Sequence, residues 1–201
     1  MLIEYFGHSY FKITGEEYSI CLDPFSNVGL KEVETTANYL FTSHSHFDHD
    51  NKSIVKFEKL IDKSDSRFTI IKTFHDNEKG SLRGENNVLL FTLDGYKVAF
   101  LGDFGEENNQ SLIEKLKGVD VLLICVGGTY TIDSKTATYY AKEIDAKLTI
   151  PMHYKDGAST IDIDTVQEFL KNKDYEMYEG SLNLKQALSK NKKFALIKMQ
   201  K

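Results

Sequence analysis

The stretch "FTSHSHFDHD", Phe41 to Asp50, holds three of the chain's six histidines, with Asp48 and Asp50 among them. An apolar run, "NYLFTS", leads into it, and "NKSIVKFEKLI" follows. Disordered histidine tracts and tags lack such neighbours, so the cluster belongs to a folded site. Ile54, Val55, Phe57, Leu60 and Ile61 fall near helical spacing behind a candidate Asn51 cap, which predicts an amphipathic helix there. The cluster therefore reads as a loop between a strand and a helix.

Outward from the cluster, the first part of the chain is rich in strands. "LIEYF", "SYFKIT" and "YSICLDPF" are short β runs separated by turn residues, the third ended by Pro24, and they predict an antiparallel opening. "RFTIIKTF" leads to His75. "NVLLFTL", Asp94-Gly95 and "YKVAFLGD" read as a hairpin ending at Gly102-Asp103. The pattern then alternates: helix "NQSLIEKLKG", strand "DVLLICVGG", helix "SKTATYYAKEI" capped by Asp133 or Ser134, strand "KLTIPMHY", helix "DTVQEFLK", strand "KFALIKM". No linker or repeat interrupts it, so one domain over residues 1–201 is expected, an α/β sandwich with mixed sheets.

The chain has 201 residues, 41% of them hydrophobic, and a net charge of -5. A domain this size buries roughly 70% of its unfolded surface, enough for a sizeable core. The acidic balance gives no general attraction to nucleic acid or anionic lipid. No apolar window is long enough to span a bilayer, and the first residues carry no basic leader pattern, so a cytoplasmic protein is expected. Cys21 and Cys125 sit in apolar runs and read as buried thiols of a reducing compartment.

His44, His46, Asp48 and His49 follow one strand, His75 a second, Asp103 a third and His153 a fourth. Binding sites of α/β folds are built at the C-terminal ends of strands, so one pocket could collect all seven. Imidazole with carboxylate suits zinc, manganese or iron, and seven donors exceed one four-coordinate ion. Two divalent ions, zinc first, account for the number. Two such ions about 3.5 to 4 Å apart, with a carboxylate and a hydroxide between them, generate a nucleophile at neutral pH. That is hydrolytic chemistry.

The H-x-H-x-D-H order of His44, His46, Asp48 and His49, with a later His, a Gly-Asp after a strand and a final His, resembles the metallo-β-lactamase-fold superfamily of metal-dependent hydrolases along the whole chain. "GHSYF", "LDP", "FHDNEKGSLRGENN", "LGDFG", "VGGTYTID" and "PMHYK" are similar to the branch of small bacterial hydrolases, ascorbate-phosphate lactonases and N-acylphosphatidylethanolamine phospholipase D. The resemblance implies a four-layer αββα sandwich of two mixed β-sheets flanked by helices. It also implies His44, His46 and His75 on a first metal, Asp48, His49 and His153 on a second, and Asp103 bridging. The implied reaction is hydrolysis of an ester-type substrate such as a phosphodiester or a phosphoester-bearing lactone. The bridging hydroxide attacks, His8 helps the metals hold the oxyanion, and Asp48 or a metal-bound water moves the proton. The competing class is a non-catalytic sensor or scaffold that keeps the site for binding alone.

Other residues carry two readings each. Asp23 before Pro24 either shapes a turn or accepts the second N–H of a ligand histidine. His8, in a "GHS" turn, is a packing residue or a site residue. Tyr130, after Gly127 and Gly128, lies along the pocket edge or touches substrate. Arg83 is one of two arginines in the chain. It either pins its glycine-flanked loop or clamps a substrate anion through two parallel hydrogen bonds. The expected partner is a small molecule, anionic where Arg83 reads it, with no nucleic acid and no membrane. No insert is large enough for a lid, so the site is expected to be open or walled by a second copy of the chain. Segment 26–38 is the candidate mobile rim or contact between copies.

Overall fold

The computed structural model describes residues 1–199. The chain opens with the expected antiparallel strands, β1 (Leu2–Gly7), β2 (Tyr10–Thr14) and β3 (Ser19–Leu22). Period-two alternation sends Ile3, Tyr5, Phe11, Ile13, Ile20 and Leu22 into the main core, all buried. β4 (Thr35–Phe41) then joins β3 in parallel and delivers the chain to the histidine loop.

The helix expected over 51–61 does not form. Only Lys52–Ile54 makes a single 3-10 turn, without a side-chain cap from Asn51. β5 (Val55–Leu60) continues as a parallel edge strand beside β4. Of its six residues only Val55 is buried, so the segment has no broad apolar stripe to seat as a helix, whereas the ladder with β4 satisfies its backbone. The outer face of this sheet is covered instead by irregular chain: Phe25 and Val28 are fully buried against Phe6, Tyr10, Cys21 and Leu40, with Leu30 and Val33 packed on them. Segment 26–38 is thus partly β4 and partly this cover, rather than a free rim. Its first residue does reach the histidine loop, where the Ser26 N–H and Oγ each donate to the Phe47 carbonyl at 3.0 Å.

The second sheet begins with β6 (Phe68–Phe74), β7 (Glu85–Leu93) and β8 (Tyr96–Phe100), all antiparallel and turning at Asp94-Gly95 as expected. Helix α1 (Gln110–Leu116) leads to β9 (Val121–Cys125), and α2 (Ser134–Ile144) to β10 (Leu148–Met152). The Asp133 carboxylate caps α2 by accepting the Thr136 N–H at 2.7 Å. Ala137, Tyr140, Ala141 and Ile144 then form its buried stripe. The helix expected around "DTVQEFLK" shrinks to one turn, α3 (Gln167–Leu170). β11 (Tyr175–Glu179), β12 (Ser181–Asn183), α4 (Leu184–Ser189) and β13 (Phe194–Lys198) complete the described chain.

The two sheets run β12-β1-β2-β3-β4-β5 and β11-β13-β10-β9-β8-β7-β6. Both are mixed, and the α/β sandwich is the architecture expected. Between them Phe11, Leu22, Leu89, Phe100, Leu123 and Ile150 are completely buried, each worth about 1.5 to 3 kcal/mol. On this frame the turns after β1, β4, β6, β8 and β10 bring His8, the 44–49 cluster, His75, Asp103 and His153 to one edge of the sandwich.

Candidate metal centre

Asp103 is the centre of the arrangement. Its backbone N–H donates to Asn86 Oδ1 at 3.0 Å, while Asn86 Nδ2 donates to Thr73 Oγ1 and to the Leu101 carbonyl. Gly102 precedes it at φ +56, where a Cβ would run into the Ser43 and Asn86 side chains. Only glycine lets the end of β8 press against the histidine loop there. The Asp103 Oδ2 consequently lies 3.0 Å from His49 Nε2, 3.2 Å from His75 Nε2, 3.2 Å from His153 Nε2 and 4.0 Å from His44 Nε2.

Around this carboxylate the donors form two groups. His44, His46 and His75 offer ligand atoms within 4.8 Å of one another, and so do His8, Asp48, His49 and His153. All seven residues expected as ligands are therefore brought together, with His8 added to the second group. His44 Nε2, His49 Nε2, His153 Nε2 and Asp103 Oδ1 are buried without a hydrogen-bond partner. Buried polar atoms left unpaired are costly. A set of imidazoles and carboxylates that leaves its inward atoms free fits divalent cations of the zinc, manganese or iron type.

The outward ring nitrogens of His44, His49 and His75 are spoken for. The fully buried Asp23 Oδ2 accepts from His49 Nδ1 at 2.8 Å, as one of its two readings required. Asp23 also accepts from the Ser43 N–H at 2.7 Å and from Ser43 Oγ at 2.5 Å, and Ser43 Oγ in turn accepts from His44 Nδ1 at 2.8 Å. One carboxylate thus orients two histidines, one directly and one through a hydroxyl. His75 Nδ1 donates to the Tyr130 carbonyl at 2.9 Å. In all three rings this bonding places the remaining lone pair on Nε2, facing inward. Ser43 and Asn86 were not legible as site residues. Serine before a histidine, or asparagine in a strand, is too common to signal a supporting role.

Burial and mutual repulsion set the charges. Burial, reinforced by His153, pushes the His8 imidazolium down to about 4, and burial with His49 pushes His44 to about 2. Burial also works against charge on His49, but Asp103 and Asp23 outweigh it and its pKa is raised well above the ordinary value. Burial likewise opposes ionisation of Asp103, yet the surrounding histidines hold it well below the usual carboxylate range. The centre is an anion ringed by imidazoles: burial favours the neutral, lone-pair form of His8, His44 and His46, while at His49 and His75 the Asp103 carboxylate outweighs burial and favours the charged form.

A cavity of about 630 Å3 opens onto this centre, lined by His46, Asp48, His75 and Asp103 at its floor and by Phe47, Leu82, Arg83, Tyr130 and Ile161 higher up. His8 is 1% exposed and is not on this wall, with its Nε2 3.3 Å from Asp48 Oδ2 behind the pocket. The expected contact between His8 and a substrate oxyanion therefore does not fit its position. The Arg83 guanidinium lies over the Tyr130 ring, 5.6 Å from its centroid. Their loop is folded around one carboxylate missed in the sequence: buried Asp76 accepts the backbone N–H groups of Glu78, Gly80, Leu82 and Arg83 at 2.8 to 3.1 Å. The same loop packs on Gly105, where a Cβ would overlap the His75 and Asp76 backbone.

Residues 2–153 match the β-lactamase superfamily domain. The chain belongs to the metallo-β-lactamase superfamily. A solved structure of that superfamily from Thermotoga maritima is 33% identical, with a TM-score of 0.79, and the match covers 98% of this chain and 97% of that one. UPF0173 metal-dependent hydrolases are also similar. That of Desulforamulus reducens is 24% identical over 85% of this chain and all of its own length. That of Staphylothermus marinus is 28% identical over 76% of this chain and 83% of its own. With these relatives and this donor cluster, the protein is a metal-dependent hydrolase of the metallo-β-lactamase superfamily acting on a small-molecule substrate. Among the described residues no helix is long and apolar enough to cross a membrane.

Proposed function

We propose that the chain works as one hydrolase domain with a dinuclear site, cleaving a small anionic ester-type substrate such as a phosphodiester or a phosphoester-bearing lactone. The observation that carries this reading is the convergence of four imidazole Nε2 atoms within 4.0 Å of the single Asp103 Oδ2. A carboxylate so placed would be shared between two sites, His44, His46 and His75 holding the first cation and Asp48, His49 and His153 the second. Divalent cations bound there, zinc being the simplest, supply a nucleophile from water at neutral pH and offset negative charge building on the attacked carbon or phosphorus.

The chain's own residues do the rest. Asp48 stands on the pocket wall with 15% of its side chain exposed, placed to take a proton from the attacking water and return it to the leaving group. Against the effect of burial, the His8 and His49 imidazoles hold its carboxyl below the usual range. It therefore starts the cycle ionised, as a proton acceptor must. Arg83 has no carboxylate partner among the described residues, and its fork is free to hold a substrate anion while Tyr130 supports its flat face.

The test combines metal analysis with turnover of bis(p-nitrophenyl) phosphate, p-nitrophenyl acetate and a lactone. Protein never exposed to chelator should hold up to two cations per chain and hydrolyse at least one of the three. His46→Ala should empty the first site and abolish turnover while leaving a folded chain, because His46 lies on the exposed histidine loop. Two bound cations with no turnover of any ester would replace this reading with a binding role.

A further inference from the structure

His8 is the one imidazole of the cluster to which the reading above gives no cation to hold. It sits in the turn between β1 and β2 at φ 53, a left-handed conformation that non-glycine residues rarely hold, directly after Gly7 at φ 104. Its carbonyl is used twice, accepting the His153 N–H at 2.7 Å and the Tyr5 hydroxyl at 3.0 Å. His153 is itself left-handed, at φ 50. Two histidines from opposite halves of the chain are thus fastened backbone to backbone, each against its conformational preference. Strain kept at two adjoining positions points to a role for both side chains.

The side chains agree. The His8 ring is 1% exposed, and neither of its nitrogens has a hydrogen-bond partner. Its centroid lies 4.3 Å from that of His153 and 4.9 Å from that of His49. A histidine kept only for packing would pair a nitrogen or be replaced by an apolar residue. One kept only to orient Asp48 would make a well-aligned hydrogen bond, whereas the 3.3 Å approach of Nε2 to Asp48 Oδ2 does not qualify as one. The donor atoms of His8, Asp48, His49 and His153 are instead mutually close, all within 4.8 Å.

We infer that His8 is a protein ligand of the second cation, an assignment that rests on the dinuclear reading. The two sites are then unequal. The first offers three imidazoles, two of which, His46 and His75, line the open pocket. The second offers three buried imidazoles and Asp48, with Asp103 shared between them. Five protein donors exceed the four of a structural zinc site and favour cations that accept five or six ligands, such as manganese or ferrous iron. The second site fills first and exchanges slowly, and the first is the one that gains and loses its ion at the pocket.

Cobalt(II) titration of metal-free protein tests this, read by visible absorption and by X-ray absorption counting of imidazoles. Wild type should take up two cobalt ions, a capacity that reports on the dinuclear reading separately. In His46→Ala, which isolates the second site, the single ion should show the weak bands of five- or six-coordination with three imidazoles. Adding His8→Ala should lower its affinity 10- to 100-fold, strengthen the bands towards four-coordination and reduce the count to two. His8→Gly, which suits φ 53, guards against a folding defect, and free imidazole should restore its spectrum. Unchanged bands and an unchanged count in either His8 variant would overturn the assignment, even with a loss of affinity, since His8 would then only position Asp48. A His46→Ala protein that binds no cobalt would overturn it too.

Discussion

The Nδ1 of His49 stands 2.8 Å from Asp23 Oδ2, and neither side chain has any exposed surface. Twenty-six positions separate the two residues in sequence, and the bond fixes which nitrogen of His49 faces the Asp103 carboxylate. Replacing Asp23 by Asn keeps the shape but puts an amide where an anion accepted three donors. Metal affinity should fall about 10- to 100-fold, as it does when a partner behind a ligand is lost. Competition against a chromogenic chelator measures it, and an affinity within twofold of wild type would refute the orienting role.

Arg83→Lys preserves the charge at the pocket rim and removes the planar fork. The kcat/KM for a phosphodiester should drop by an amount worth about 1 to 3 kcal/mol, while a neutral ester is barely affected. Equal losses on both substrates would assign Arg83 to holding its loop.

Asp76 separates these possibilities from another side. Desolvation works against its charge, but the four backbone amides hold its carboxyl below the usual range. Asp76→Asn should weaken the cage, raise KM more than it lowers kcat, and expose residues 78–83 to limited proteolysis. A variant with wild-type KM and an uncut loop would show that the segment keeps its shape without the carboxylate.

Acid should loosen the metal-free protein before it reaches the carboxylates. The His8 pKa is about 4 in the folded chain against about 6.5 unfolded. Between those values the unfolded chain takes a proton that folded His8 refuses, so stability falls as pH drops through that window. The loss is on the order of 3 kcal/mol near pH 4. His44 acts in the same direction. His49, raised in the folded state, acts in the opposite sense: its stabilisation is full at acid pH and is lost as pH rises through its folded pKa. Urea midpoints of chelated wild type should therefore fall more steeply from pH 6.5 to 4 than those of His8→Gln. Parallel slopes would contradict the assignment.

The convergence of the candidate donors was legible because their spacing is rare and their positions at strand ends follow from apolar runs that are easy to read. The supporting shell was not. Ser43, Asn86 and Asp76 act through geometry that only the folded chain creates, and their residue types are ordinary in turns and strands. The 51–61 segment misled for a different reason: Ile54, Phe57 and Ile61 satisfy helical spacing, while an open edge of β4, invisible in one sequence, offered the backbone a ladder. Residues 175–189 gave no strong pattern in either period: β11 has no buried residue, and β12 buries only Leu182.

The donors are scattered along the chain from His8 to His153, and no two of the five turns that carry them are joined by a short connection. Closing loops of such length costs entropy before the donors can meet, so both sheets must be largely in place for the centre to form. A metal held at these positions, unlike that of a small zinc module, would draw on residues that only a nearly complete chain brings together. Metal uptake at such a centre would act as a checkpoint on maturation: a copy that stalled during folding would not gather the donors, and hydrolytic power would appear only in finished molecules.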